Sequence, residues 1–258
     1  MQRSLFFISA ILALSFSSIK TIAQSEDPEG PTIIYNQQML GGLHLHSNGY
    51  GLQFAWGRYK GASKIWTYSA DLLYMKHDKE VRSYNPAYQD SKSYVYGKMN
   101  SLFVLRAGIG RKHITSVKLR KSGVQVSYLY SFGPLLGFAK PVYLEISNLD
   151  EGSGSLSTER YDPELHFFDD IYGRAPFVYG LTEISVIPGG FAKFAFNFEY
   201  SNTKNRLKGL ETGVVLDAYL RRVPIMAESI GGLEGAKNKR LFFNFYVNLF
   251  LGKKYNKR

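Results

Sequence analysis

The chain has 258 residues, with 32 Lys or Arg against 21 Asp or Glu and a formal net charge of +11. It contains no cysteine, which excludes disulfides, thiolate metal sites and lipid attachment to an N-terminal cysteine. After the N-terminal segment no uninterrupted apolar run reaches the roughly 18 residues that a transmembrane helix needs.

Arg3 is followed by the apolar run Leu5 to Phe16, "LFFISAILALSF", and then by small and polar residues ending in "TIAQ". As a helix the run rises about 18 Å, short of a bilayer core of roughly 30 Å. Residues 1–23 are therefore expected to be a secretory signal peptide, with Thr21 and Ala23 at the cleavage positions and Gln24 as the mature N-terminus. Removing it takes away Arg3 and Lys20 and leaves 30 basic against 21 acidic residues. With no Pro- or Ser-rich linker beyond it, residues 24–258 read as a single domain.

From residue 39 onward the dominant signal is a two-residue period. Tyr50, Leu52, Phe54 and Trp56 alternate with Gly51, Gln53, Ala55 and Gly57. The same period recurs at Trp66 to Tyr74, at Val124 to Phe132, at Phe194 to Tyr200, and at Leu241 to Leu251 against Asn244, Tyr246 and Asn248. Such runs predict long strands with unlike faces. A soluble sandwich or lipocalin-like barrel would have shorter strands and turn its large apolar face inward. Strands long enough to cross a bilayer, on an exported chain, favour an antiparallel up-and-down transmembrane β-barrel with apolar residues toward lipid. Eight strands are expected, at 39–47, 50–58, 65–76, 94–110, 122–140, 191–201, 209–222 and 238–252.

Within "GGLHLHSNGYGLQF", Asn48-Gly49 suits a type I′ hairpin turn. The segment Pro176 to Pro188 alternates as well, but a ninth strand would break the even count. Pro176 suits a first helical turn and Phe177, Leu181 and Ile184 share a helical face, so a short helix within a long external loop, 141–190, is expected. The short connections 59–64, 111–121 and 202–208, with the tail 253–258, hold fourteen Lys or Arg and no acid. Segment 145–172 holds eight acids, among them Asp162, Glu164, Asp169 and Asp170, against Arg160 alone. A basic rim beside anionic headgroups accounts for the high pI without nucleic acid.

The same parity turns Asp71, Lys98, Arg106, Lys193, Glu199, Glu211, Asp217, Arg221 and Arg240 toward the lumen. His44 and His46 point there too, as part of a hydrogen-bond network. Eight strands enclose only enough space for side chains, so this near-balanced set predicts a packed, ion-paired interior and no open channel.

The leader ending in "TIAQ", the aromatic alternating strands and the final "LFFNFYVNLFLG" resemble the small outer-membrane β-barrel proteins of the Bacteroidota, in the eight-stranded class that includes OmpA and OmpX. The tail "KKYNKR" departs from the aromatic ending common in such assembly signals. "KSYVYGKMNSLFVLRAGIG", "KPVYLEI" and "ERYDPELH" resemble a subgroup without assigned activity. The resemblance implies an outer-membrane location, lipid and lipopolysaccharide neighbours, and contact with the outer-membrane assembly machinery during biogenesis.

A non-enzymatic structural or surface-interaction role is expected, with no cofactor, no metal and no nucleic-acid partner. Two other readings compete: an enzyme modifying lipid A or phospholipid, and the barrel subunit of a larger envelope complex with a protein partner. Outer-membrane lipid A deacylases carry His and Ser on the lipid-facing wall, commonly as His-x-Ser-Asn. In "HLHSN" His46 and Ser47 are adjacent and would face opposite sides of a strand, so no catalytic residue is assigned.

Overall fold

Alternation along the chain becomes a wall with two faces. The computed structural model describes residues 35–256, apart from 89, 117–122, 149–154, 202, 204 and 229–235. The expected leader and its cleavage point lie outside the described residues, as do Asp150 and Glu151 of the acidic segment.

Eight long strands form the wall: β1 (Gln37–His46), β2 (Gly49–Tyr59), β3 (Lys64–Met75), β6 (Asn100–Ser116), β7 (Gln125–Pro141), β11 (Ser185–Glu199), β12 (Arg206–Tyr219) and β13 (Leu241–Tyr255). All neighbours are antiparallel, and β1 pairs with β13 from Gln37↔Tyr255 to His46↔Tyr246, which closes the barrel. Among the described residues no helix is long and apolar enough to cross a membrane. Each wall strand has ten or more residues, enough for the bilayer.

The remaining strands belong to one end. β4 (Arg82–Ser83) pairs with β5 (Tyr94–Val95) in the β3–β6 connection. In the β7–β11 connection β8 (Tyr143–Asn148) lies between β9 (Ser155–Arg160) and β10 (Ile171–Arg174). These connections and the β12–β13 loop lie at the end opposite the described termini. That is the arrangement of long outer loops and short turns expected of such barrels.

Several boundaries differ from the sequence reading. The strand expected from 94 begins at Asn100, because Tyr94–Val95 is taken up by the small hairpin with β4. In place of a helix over 176–188 there is one 3-10 turn, Leu181–Glu183, and β11 already starts at Ser185. Pro188 fits in that strand because pairing with β12 begins only at Gly189, so no ladder bond on that flank is forfeited. The expected type I′ turn is also absent. His46 pairs with Gly49, the turn residues are Ser47 and Asn48, and among the described residues no non-glycine residue has positive φ. Gly49 is required for space: a Cβ there would come 2.0 Å from the Tyr74 carbonyl oxygen of β3.

Outward positions are large and apolar around the circumference, as with Leu43, Leu52, Phe54, Leu72, Ile109, Phe132, Phe196, Phe245 and Leu249, all exposed. Inward positions hold the charged and amide side chains, including fully buried Asp71, Arg106, Asp217, Asn244 and Asn248. A water-soluble barrel has the opposite polarity, and so continuous an apolar exterior needs lipid to cover it.

Candidate functional site: the barrel lumen and its canopy

Four inward rows meet at mid-barrel. Arg106 on β6 donates from Nε to Asp217 Oδ1 (2.8 Å) and from its terminal nitrogen to Asp217 Oδ2 (2.5 Å), a two-point pair spanning the lumen. Its other terminal nitrogen is 3.9 Å from Asp71 Oδ2 on β3, and Lys193 Nζ on β11 is 3.6 Å from that same oxygen and 3.7 Å from Glu211 Oε1 on β12. Tyr246 donates to Glu211 Oε1 (2.8 Å), and Lys112 reaches the group through Asn197 Oδ1 (2.8 Å). Two cations and three carboxylates thus alternate across the interior, so that each charge has an opposite neighbour in a region without bulk solvent.

Toward the described termini the lumen holds an apolar layer of Leu40, Ala55, Leu207 and Phe250. Below it Lys254 pairs with Glu199 at 3.0 Å, and Tyr59 donates to Gln38 at 3.0 Å. Lys112 and Lys254, counted by sequence among the basic rim, turn inward instead. The reason is strand length: β6 runs to Ser116 and β13 to Tyr255, so alternation continues past the expected turns. Lys60, Lys64, Arg111, Arg206, Lys208 and Lys253 remain exposed at that end.

At the opposite mouth, described residues between β12 and β13 turn inward. Val223, Ile225 and Met226 of the β12–β13 loop are fully buried, packed against inward-facing Met75, Leu102, Ala139 and Ile187. Backbone bonds fix this insert to the segment before β6: Met99 N–H donates to the Ile225 carbonyl (2.9 Å) and Ala227 N–H to the Gly97 carbonyl (2.8 Å). Asn238 adds a side-chain clamp, accepting from the Ile225 and Met226 amides and donating to the Met226 carbonyl.

Not every expected lumen residue lies in the wall. Lys98 is buried beneath the canopy, paired with Glu80 at 2.5 Å and donating to the Tyr74 hydroxyl. Arg221 and Arg240 are exposed at the rim, which corrects their assignment: β12 ends at Tyr219 and β13 begins at Leu241, so strand parity does not extend to them. Arg221 donates to Ser185 Oγ (2.7 Å) and to the Val186 carbonyl.

His44 and His46 are buried in the lumen wall with ring centroids 5.9 Å apart. His44 stacks on Tyr246 at 4.5 Å and among the described residues its ring nitrogens have no hydrogen-bond partner, so it fills space and does not join the expected hydrogen-bond network. The Ser47 hydroxyl donates to Asn244 Oδ1 (3.1 Å), not to a histidine.

Above the mouth the three-stranded sheet packs around Tyr94, Leu144, Ile146, Tyr161 and Ile171. Burial pushes the Tyr94 and Tyr161 hydroxyls up to about 12. Asn85 joins two loops, donating to the carbonyls of Phe168, Asp169 and Ile171 while its Oδ1 accepts from Ala87. Of the external acids, Asp162 accepts from the Glu164 amide and Asp170 from the Phe167 amide, so these two shape turns. Glu164 and Asp169 form no cation cage with them: among the described residues no three metal-ligating side chains converge.

An eight-stranded barrel with a lipid-compatible exterior, a charged packed interior and a canopy at one end is an integral membrane barrel in architecture. No family model matches the sequence, and no curated protein matches it. Among solved structures the chain is similar to the crystal structure of Neisserial surface protein A, at 9% identity and a TM-score of 0.35, over 86% of this chain and 96% of that one.

Proposed function

We propose that the protein is a non-enzymatic outer-membrane barrel whose lumen stays closed and whose canopy is its working surface, in a structural or surface-interaction role. The carrying observation is the apolar insert, Val223 to Met226, over the alternating charges of Arg106, Asp217, Asp71, Lys193 and Glu211. A permeation path needs a continuous hydrated passage, and both the insert and the Leu40–Phe250 layer stand across it. The proposal includes export by a cleaved leader, lipopolysaccharide and lipid as neighbours, delivery by the outer-membrane assembly machinery, and kinship with the Bacteroidota barrels. Purified protein in planar bilayers is expected to give no stable conductance steps. Steady open-channel currents from monodisperse protein would refute the closed-lumen reading.

A further inference from the structure

Where the wall meets the canopy, a cation is buried on the outside of the barrel. The β6–β7 register runs Leu105↔Leu136, Phe103↔Phe138, Ser101↔Lys140. Lys140 therefore extends the outward row of Leu136 and Phe138 by one step, from the apolar belt to the height of lipid headgroups. It is only 6% exposed, because Phe177 covers it with the ring centroid 4.8 Å from the ammonium. Phe177 in turn packs edge-on against outward-facing Phe103 at 6.1 Å. Among the described residues the ammonium has one hydrogen bond, a long one of 3.4 Å to the Pro141 carbonyl.

A cleft of about 350 Å³ opens beside it, with Ser101 and Lys140 on the wall side and Lys92, Tyr143, Arg174 and Phe177 on the canopy side. Lys92 is matched by Glu145 at 2.8 Å. Among the described residues neither Lys140 nor Arg174 has a carboxylate partner, so the cleft keeps an uncompensated positive charge. A buried ammonium with so little hydrogen bonding is costly unless an anion completes its shell. Apolar Phe177 stands exposed beside these cations in the lining of the cleft, continuous with the belt through Phe103. Cations at headgroup height beside exposed apolar side chains match an amphiphile with an anionic head.

We propose that this cleft binds the phosphate of an anionic lipid headgroup in the leaflet on the canopy side, with Lys140 and Arg174 as the phosphate ligands. The assignment rests on the membrane-spanning reading above. Native mass spectrometry of the full chain released from phosphatidylcholine nanodiscs, doped equally with phosphorylated and dephosphorylated lipid A, tests it. The wild type should retain the phosphorylated form preferentially. Lys140→Gln and Arg174→Gln should each lower that retention roughly tenfold, while Lys140→Arg preserves it. Inorganic phosphate at equal concentration should not displace the lipid, since it lacks the apolar half of the contact.

Equal retention of the two lipids, unchanged retention when Lys140→Gln and Arg174→Gln are combined, or displacement by inorganic phosphate would each overturn the proposal. Heat-dependent gel migration reports folding; if Lys140→Gln fails to fold, Arg174→Gln, which is exposed, carries the test. A barrel that inserts into nanodiscs but shows no preference defeats this inference alone. A chain that does not enter bilayers defeats the membrane reading with it.

Discussion

Replacing Arg106 with Met separates two accounts of the lumen, one in which charges merely fill space and one in which they hold the wall strands together. Arg106 and Asp217 are both fully buried, so solvent does not screen them, and their two hydrogen bonds at 2.8 and 2.5 Å both run to the carboxylate. Removing the guanidinium strands Asp217 and deprives Asp71 of one of its two cations, leaving Lys193 shared between Asp71 and Glu211. Breaking a buried pair from one side typically costs about 3–5 kcal/mol, whereas replacing both partners by apolar residues of similar volume is often neutral or better. Arg106→Met should thus lose about 3–5 kcal/mol in reversible urea unfolding from lipid vesicles, and Arg106→Met with Asp217→Leu should recover most of that loss. A double-mutant cycle isolates the coupling. If the single substitution costs under about 1 kcal/mol, or the double costs the sum of the two singles, the strut role of this pair is wrong.

Three further outcomes follow from other parts of the molecule. Gly49→Ala places a methyl group 2.0 Å from the Tyr74 carbonyl, so the β1–β2 hairpin must shift; a loss of about 1–3 kcal/mol is expected in the same unfolding assay, and a neutral result would show that the hairpin yields freely. Asn85→Ala removes the bonds tying the β3–β6 connection to the Phe168–Ile171 stretch, and should speed proteolysis within residues 142–184 while leaving barrel unfolding unchanged. The third concerns pH. The Ser157 hydroxyl, followed by His166, holds the Glu159 carboxyl below the usual carboxylate range. Because its folded value is depressed, this contact stabilises β8–β9 above the ordinary carboxylate value of about 4.3 and is lost as pH falls through the lowered one. Hydrogen exchange in β9, corrected for intrinsic rates, should show constant protection from neutral pH to about 5 and loosening only in more acid solution.

The wall was readable from sequence because each strand has to separate lipid from lumen along its whole length, which imposes a period of two. His44, Asp71, Arg106, Lys193 and Asp217 lie inside for that reason. Failures occur where the ladder stops constraining the chain. Arg221 and Arg240 carry on the alternation by accident beyond the last paired residues. The short canopy strands, of two to six residues, alternate too briefly to register, and their sheet depends on long-range partners such as Asn85. Lys140 could have been noticed as a lysine on the lipid-facing row of a strand, since an isolated cation there is expensive unless it lies at the headgroup level. The insert Val223–Met226 offered only a brief apolar run in a loop, and its destination depends on the cavity that the eight strands create.

The seam between β1 and β13 has a consequence for how the molecule is made. Gln37 pairs with Tyr255, so the contacts that complete the barrel join the two ends of the domain. Every other wall strand meets a sequence neighbour across a turn or a loop, and those hairpins can be assembled in order. The closing contact has the greatest separation along the chain and so the largest entropy to overcome. Until Leu241–Tyr255 has emerged, β1 and β12 each present a free edge, and a partly made chain is an open sheet with sticky margins. An escort that shields those edges, or a late and concerted closure, is therefore a requirement of the topology itself.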